Sequence, residues 1–229
     1  MAIKGLIFDF DGLMVDTESP AHASWLDIYQ EYGCEFPLSL WSATLGGSGL
    51  EFDPCAYLIK QIGQPLDCEA IRARRWQRKL QLVASQPLLP GVSDYIASAK
   101  HLGLLLGVAS SSSRAWVVGH LDRLAVTDMF DVIITADNVT HVKPDPEIYQ
   151  MLVTTLGLHP EQAIAFEDAP NGLLSAKRAN LFCVAVPNPL TGQLPLDHAD
   201  LRLTSLADMP LDTLLALVAT IQQDTKKTD

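Results

Sequence analysis

Basic residues are few in this chain: 16 Lys and Arg stand against 27 Asp and Glu, for a net charge of −11. Phosphate backbones and anionic membranes are held by clustered Lys and Arg, so neither nucleic acid nor a membrane surface is expected as a general partner. A small phosphorylated substrate is not excluded, because it needs only a few local cations or a metal. Cysteine is also sparse. Cys34, Cys55, Cys68 and Cys183 form no C-x-x-C pair and no zinc spacing. Reduced, mostly packed thiols in a cytoplasmic protein are the expectation. Long apolar runs are missing, and the longest, Leu102 to Ala109, is far too short to span a bilayer. At the N-terminus Asp9 and Asp11 interrupt what a signal peptide would keep apolar. No internal repeat or low-complexity tract stands out.

What is present is concentrated at the beginning. Leu6, Ile7 and Phe8 read as a strand buried on both faces, followed by Asp9-Phe10-Asp11-Gly12. Asp9 then sits at the carboxyl end of the strand, where open α/β sheets place ligand sites. Residues i and i+2 of an extended chain share a side, so Asp9 and Asp11 can face one ligand. Gly12 lets the chain turn away without a Cβ penalty. Two carboxylates aimed at one point repel, and a hard metal bound by oxygen relieves them. Two other readings are an exposed acidic turn and a calcium loop. The calcium loop would put Ile7 at its first ligand position, after a strand rather than a helix.

With 229 residues the chain can hold one or two domains. From Glu18 to Gln86 no parallel-strand run is convincing. Trp25, Ile28, Tyr29 and Tyr32 recur at helical spacing, with Gly33 as a stop, and 52–62 and 69–83 read as helices. Leu45-Gly46-Gly47-Ser48-Gly49 is a flexible break between them. The segment looks like an inserted helical domain. Beyond Pro87 strands and helices alternate. Strands are expected at 104–109, 132–134, 163–166 and 182–186. Helices are expected at 92–102, 114–124, 146–156, 170–179 and 207–222, with Asp145 as N-cap and Pro146 at the first position of the third. Alternation of this kind implies an α/β fold with a parallel sheet covered on both faces.

In a parallel sheet all carboxyl ends lie at one edge. Asp9 and Asp11, Ser110, and Glu167 with Asp168 should therefore converge, and Lys143 can reach the same edge from a loop. Acids to bind a metal, a hydroxyl and helix N-terminal N–H groups for phosphate oxygens, and a lysine to neutralise developing charge make a magnesium and phosphoryl site. Taken singly, each has a bland reading. Ser110 can be a polar loop residue, Lys143 a solvated lysine, and Glu167-Asp168 a helix cap.

Together, Asp9-Phe10-Asp11-Gly12-x-x-x-Asp16-Thr17, the strand-terminal Ser110, Lys143-Pro144-Asp145-Pro146 and Glu167-Asp168-Ala169-x-Asn171-Gly172 resemble the four motifs of the haloacid-dehalogenase-like superfamily. The branch they resemble most is the β-phosphoglucomutase-like group of sugar-phosphate phosphatases and mutases. The resemblance implies a Rossmann-like core over residues 1–16 and 87–229, with a small helical cap inserted over 17–86. It implies Asp9 as the nucleophile and Asp11 as general acid, then base. Magnesium would be held by Asp9, the backbone carbonyl of Asp11, Glu167 and Asp168. Phosphate would be held by Ser110, Ser111 and Lys143, and Thr17 would be the hinge between core and cap. Dehalogenases of the superfamily need neither an acid at the second position nor magnesium, so Asp11 and Glu167-Asp168 point to phosphoryl transfer.

Phosphatase is favoured over hexose-phosphate mutase. The family's cap loop grips a distal phosphate with a lysine and an arginine, and Leu45 to Leu50 here has neither. His22 stands one position after a mutase histidine, with Ala21 in the aligned place. The cluster Arg72, Arg74, Arg75 could restore such a grip. The expected molecule is a monomer or weak homo-oligomer acting on a small phosphorylated substrate. A binding protein that kept the fold without its chemistry is the third alternative.

Overall fold

The structure is a computed structural model and describes residues 2–45 and 52–228. Most of the glycine break at 45–49, and of the loop compared with the mutase grip, lies outside the described residues. Six strands form one parallel sheet: β1 (Gly5–Phe8), β2 (Leu105–Ala109), β3 (Val132–Ile134), β4 (Ala163–Glu167), β5 (Phe182–Ala185) and β6 (Leu201–Arg202). Their order is β3-β2-β1-β4-β5-β6, and every pairing is parallel. The order reverses between β1 and β4, which is where doubly wound sheets open a crevice for a ligand.

The two-residue period of the strands divides the core. Leu6, Phe8, Leu106, Val108, Ile164 and Phe166 pack on one face, with α5 (Val92–His101), α6 (Arg114–Arg123) and α9 (Leu211–Thr228). Ile7, Ala109, Ala163, Ala165 and Cys183 pack on the other, with α7 (Glu147–Thr155) and α8 (Pro170–Arg178). The uninterrupted apolar runs follow from burial on both faces. Phe8 stands in register with Val108 on one side and Phe166 on the other, so the strand ends are level.

Helices α1 (Glu18–Glu31), α2 (Leu38–Leu45), α3 (Pro54–Ile62) and α4 (Cys68–Ala84) fill the segment between β1 and α5. They carry a separate core of Trp25, Ile28, Tyr29, Phe36, Leu58 and Ile71. The chain enters and leaves this segment side by side: Val15 bridges Leu88, and Leu89 N–H donates to Met14 O at 2.8 Å.

Several expectations need adjusting. Cys55 and Cys68 are not reduced thiols; they form a disulfide with Cα atoms 5.8 Å apart. The loop between α3 and α4 returns the start of α4 to the first turn of α3, a proximity that spacing does not reveal. Cys34 and Cys183 are free. Helix α7 begins at Glu147, with Pro146 in the cap position, and Asp145 Oδ1 accepts from Glu147 N–H at 3.0 Å. Residues 206–208 form a separate 3-10 turn before α9. Helix α2 and the two-residue β6 carried too little periodic signal to be expected.

Candidate active site

The level strand ends place the predicted acids together. Asp9 follows β1, Glu167 ends β4 and Asp168 follows it; all are buried. Each offers an oxygen within 4.8 Å of the others. Lys143 lies at the same edge, from the loop between β3 and α7. Its Nζ donates to Asp9, to Glu167 Oε1 at 2.6 Å and to Ala109 O at 2.8 Å. The Lys143–Pro144 peptide is cis. A strand-end aspartate pair, a buried lysine and a second acidic pair thus sit in one crevice, in the order in which they occur in the chain. A family profile described as Haloacid dehalogenase-like hydrolase matches residues 6–186.

The chain belongs to the haloacid dehalogenase-like hydrolases. Its relatives include the Bacillus subtilis protein named "Putative phosphatase YhcW", 45% identical, the match covering 93% of this chain and 96% of that one. Hexitol phosphatase B of Escherichia coli (strain K12) is 31% identical over 93% of this chain and 97% of its own. Among solved structures, CbbY from Rhodobacter sphaeroides in complex with phosphate superposes with a TM-score of 0.65 at 30% identity, covering 90% of this chain and 96% of that one.

The electrostatics of this hydrolase site follow from its burial. Burial pushes the Asp9 carboxyl above the usual carboxylate range; Lys143 pulls it back, while Glu167 and Asp11 add to the rise. Burial, then Asp9 and Glu167, push Asp168 well up. Burial works against the charge on Lys143, but the carboxylates of Asp9 and Glu167 outweigh it and hold its pKa above the ordinary value. One lysine does not balance three acids. Their oxygen donor set fits a hard divalent cation such as magnesium, which would relieve the remaining repulsion. Two glycines let the acids take these positions: a Cβ on Gly12 would collide with Asp168, and one on Gly172 with Glu167. Gly12 also holds a φ of +82°, a conformation glycine adopts freely.

Asp11 is placed differently from the other acids. Its side chain is not in the triplet; Oδ2 accepts from Ser112 Oγ at 2.6 Å and Ser110 Oγ at 3.5 Å, and Oδ1 from Trp116 Nε1 at 2.9 Å. Ser110 is buried at the end of β2, and its Oγ accepts from Ser112 N–H at 3.0 Å. Ser111 is exposed and lines the cavity, which measures about 310 Å³ and is also walled by Glu18 of α1 and Lys79 of α4. Thr17 is buried at the start of α1, and among the described residues its hydroxyl has no hydrogen-bond partner. A cleft of about 610 Å³ between α5 and α9 is larger, but its lining is mostly apolar and gathers no such charged cluster.

Four neighbours escaped sequence reasoning. Tyr149 donates its hydroxyl to Glu167, and Asn188 Nδ2 donates to Asp168 Oδ2 at 2.9 Å. Ser112 and Trp116 hold Asp11. Asn188 follows β5 at the edge shared by the other polar residues, so the strand-end rule could have found it. Tyr149 and Trp116 lie inside helices, where nothing marks them.

Proposed function

We propose that this chain is a magnesium-dependent phosphatase of small phosphorylated metabolites, sugar phosphates first among them, working through an aspartyl-phosphate on Asp9. The observation that carries the reading is the buried convergence of Asp9, Glu167 and Asp168, with Lys143 paired to the first two. The names of the relatives, phosphatases of a hexitol phosphate and of unspecified substrates, support the same reaction class.

An Asp9 carboxylate oxygen attacks phosphorus in line with the ester oxygen. The bond to that oxygen breaks as Asp11 delivers a proton to it. Asp11, now a carboxylate, then takes a proton from water as the water oxygen attacks the phosphoryl group. Phosphate leaves and Asp9 is restored. Lys143 and the Ser110–Ser111 turn would hold the equatorial oxygens and offset the charge that spreads over them. Magnesium, held by Asp9, Glu167, Asp168 and the backbone carbonyl of Asp11, would neutralise the repulsion between carboxylate and phosphate.

Residues 17–86 would act as a cap over the core formed by 1–16 and 87–229. The paired crossings at Val15 and Leu88, with Thr17 just beyond, make a suitable hinge. Hydrolysis is preferred over intramolecular transfer because the cap arginines are already engaged. Arg72 pairs with Asp53 and Arg74 with Glu31, and Arg75 donates to Ala21 O.

Phosphate release from a panel of sugar phosphates, nucleotides and an aryl phosphate tests this, with magnesium and then with chelator. Magnesium-dependent release that disappears in Asp9→Asn is expected. Equal inactivity of both proteins across the panel would remove the phosphatase reading.

A further inference from the structure

Trp116 occupies the first turn of α6, and Ser113 Oγ caps that turn by accepting Trp116 N–H at 3.3 Å. Its indole N–H ends on Asp11 Oδ1 at 2.9 Å. Indole nitrogen can only donate, whereas the Ser112 hydroxyl on Oδ2 can donate or accept. Trp116 therefore engages Oδ1 as an acceptor and holds the Asp11 side chain in one orientation. A group that must give up and recover a proton within one turnover gains from a fixed rotamer, since small misplacements of reacting groups are expensive.

The other side of the indole meets the helical segment. Trp76 of α4 lies with its ring 5.7 Å from that of Trp116, and Lys79 Nζ sits 5.0 Å from the Trp116 ring and 5.4 Å from the Trp76 ring. Aromatic and cation–π contacts of this kind are attractive through the ring quadrupole. His120, one turn further along α6, meets the same ring edge-to-face with centroids 4.4 Å apart. The same ring is thus a hydrogen-bond donor to the core and a seat for α4. A tryptophan present only to fill space would need its ring, not its N–H.

We propose that Trp116 is a positioning residue for Asp11, and that its ring, seated against Trp76 and Lys79, ties that hydrogen bond to the docking of α4 on α6. The kinetic consequence rests on the phosphatase reading; the structural relation does not.

Two measurements test it. The first is the indole N–H resonances of the isotopically labelled full chain. Trp116→Phe identifies the Trp116 signal as the one that disappears. In Asp11→Ala that signal should move more than those of Trp25 and Trp41, and Trp76→Leu should move it as well. A signal unmoved in Asp11→Ala overturns the hydrogen bond, and one unmoved in Trp76→Leu overturns the coupling to α4.

The second measurement compares an alkyl phosphate, which needs its leaving oxygen protonated, with nitrophenyl phosphate, which needs this far less. Trp116→Phe should lower kcat/KM about tenfold or more on the alkyl ester and about threefold or less on the aryl ester, with KM little changed. Equal losses on both esters, or none on either, would overturn the positioning role. If wild type and Asp9→Asn alike release no phosphate, the phosphatase reading fails, and the resonance test still decides whether Trp116 holds Asp11.

Discussion

Lys143 donates to the carboxylate of Asp9 across 134 residues of sequence, and the side chain of that lysine is only 6% exposed. The contact joins the ends of two non-neighbouring elements and supplies the cation nearest the buried acids. Lys143→Met keeps the length of the side chain and removes the charge. Phosphate release should fall by about 10²–10³-fold, as for loss of one preorganised charge donor. Unfolding in urea should show a loss of about 3 kcal/mol at neutral pH, because Asp9 and Glu167 stay buried without the positive charge that both contact. A variant as stable and active as wild type would mean that Lys143 plays neither part.

Magnesium should stabilise the folded chain. If the triplet of Asp9, Glu167 and Asp168 binds it, thermal unfolding should move upward with concentration, by about 2.7 kcal/mol at a hundredfold excess over Kd. Asp168→Asn should lose most of that shift, and chelator should reverse it in wild type. An undiminished shift in Asp168→Asn would place the metal elsewhere.

Asp131 gives a prediction about pH. Partial burial tends to raise its carboxyl, but the Leu106 N–H at 2.7 Å and the Lys100 ammonium outweigh it and hold the pKa below the ordinary value. A depressed folded pKa means a stabilisation fully present above the unfolded value of about 4 and lost as pH falls through the folded value. Asp131→Asn should therefore be less stable than wild type at pH 7, by about 1 kcal/mol, below the usual range for a hydrogen bond to a charged acceptor because the pair is a third exposed and screened by water. The gap should close in strong acid. A gap that persists unchanged to low pH would show that the charge is not its source.

The Cys55–Cys68 disulfide predicts the thiol count. Denatured without reductant, the chain should titrate two thiols, Cys34 and Cys183, and after reduction all four. Replacing both bonded cysteines by serine should lower stability by about 3 kcal/mol, the loop-closure contribution for a span of this size. Four thiols before reduction would exclude the bond.

Much of the site could be read along the chain because its acids stand beside apolar runs. Leu6-Ile7-Phe8 before Asp9, and Ala163 to Phe166 before Glu167, are local patterns whose period and composition identify strands. Parallel pairing then brings every strand end to one edge. The same rule brings Ser110 and Lys143 to that edge, and Asn188, which follows β5, obeys it too.

What the sequence by itself determined is the alternation of elements, the acids at their ends and the four motifs of the family, all properties of short stretches. What only the tertiary structure decided is which side chains meet across elements. Trp116 lies within a helix and finds Asp11 from another part of the chain, Tyr149 reaches Glu167 from α7, and Cys55 meets Cys68 through the packing of α3 on α4. Sequence periodicity records which face of an element is buried. It does not record the neighbour that face meets, because that depends on how helices and sheet pack in three dimensions.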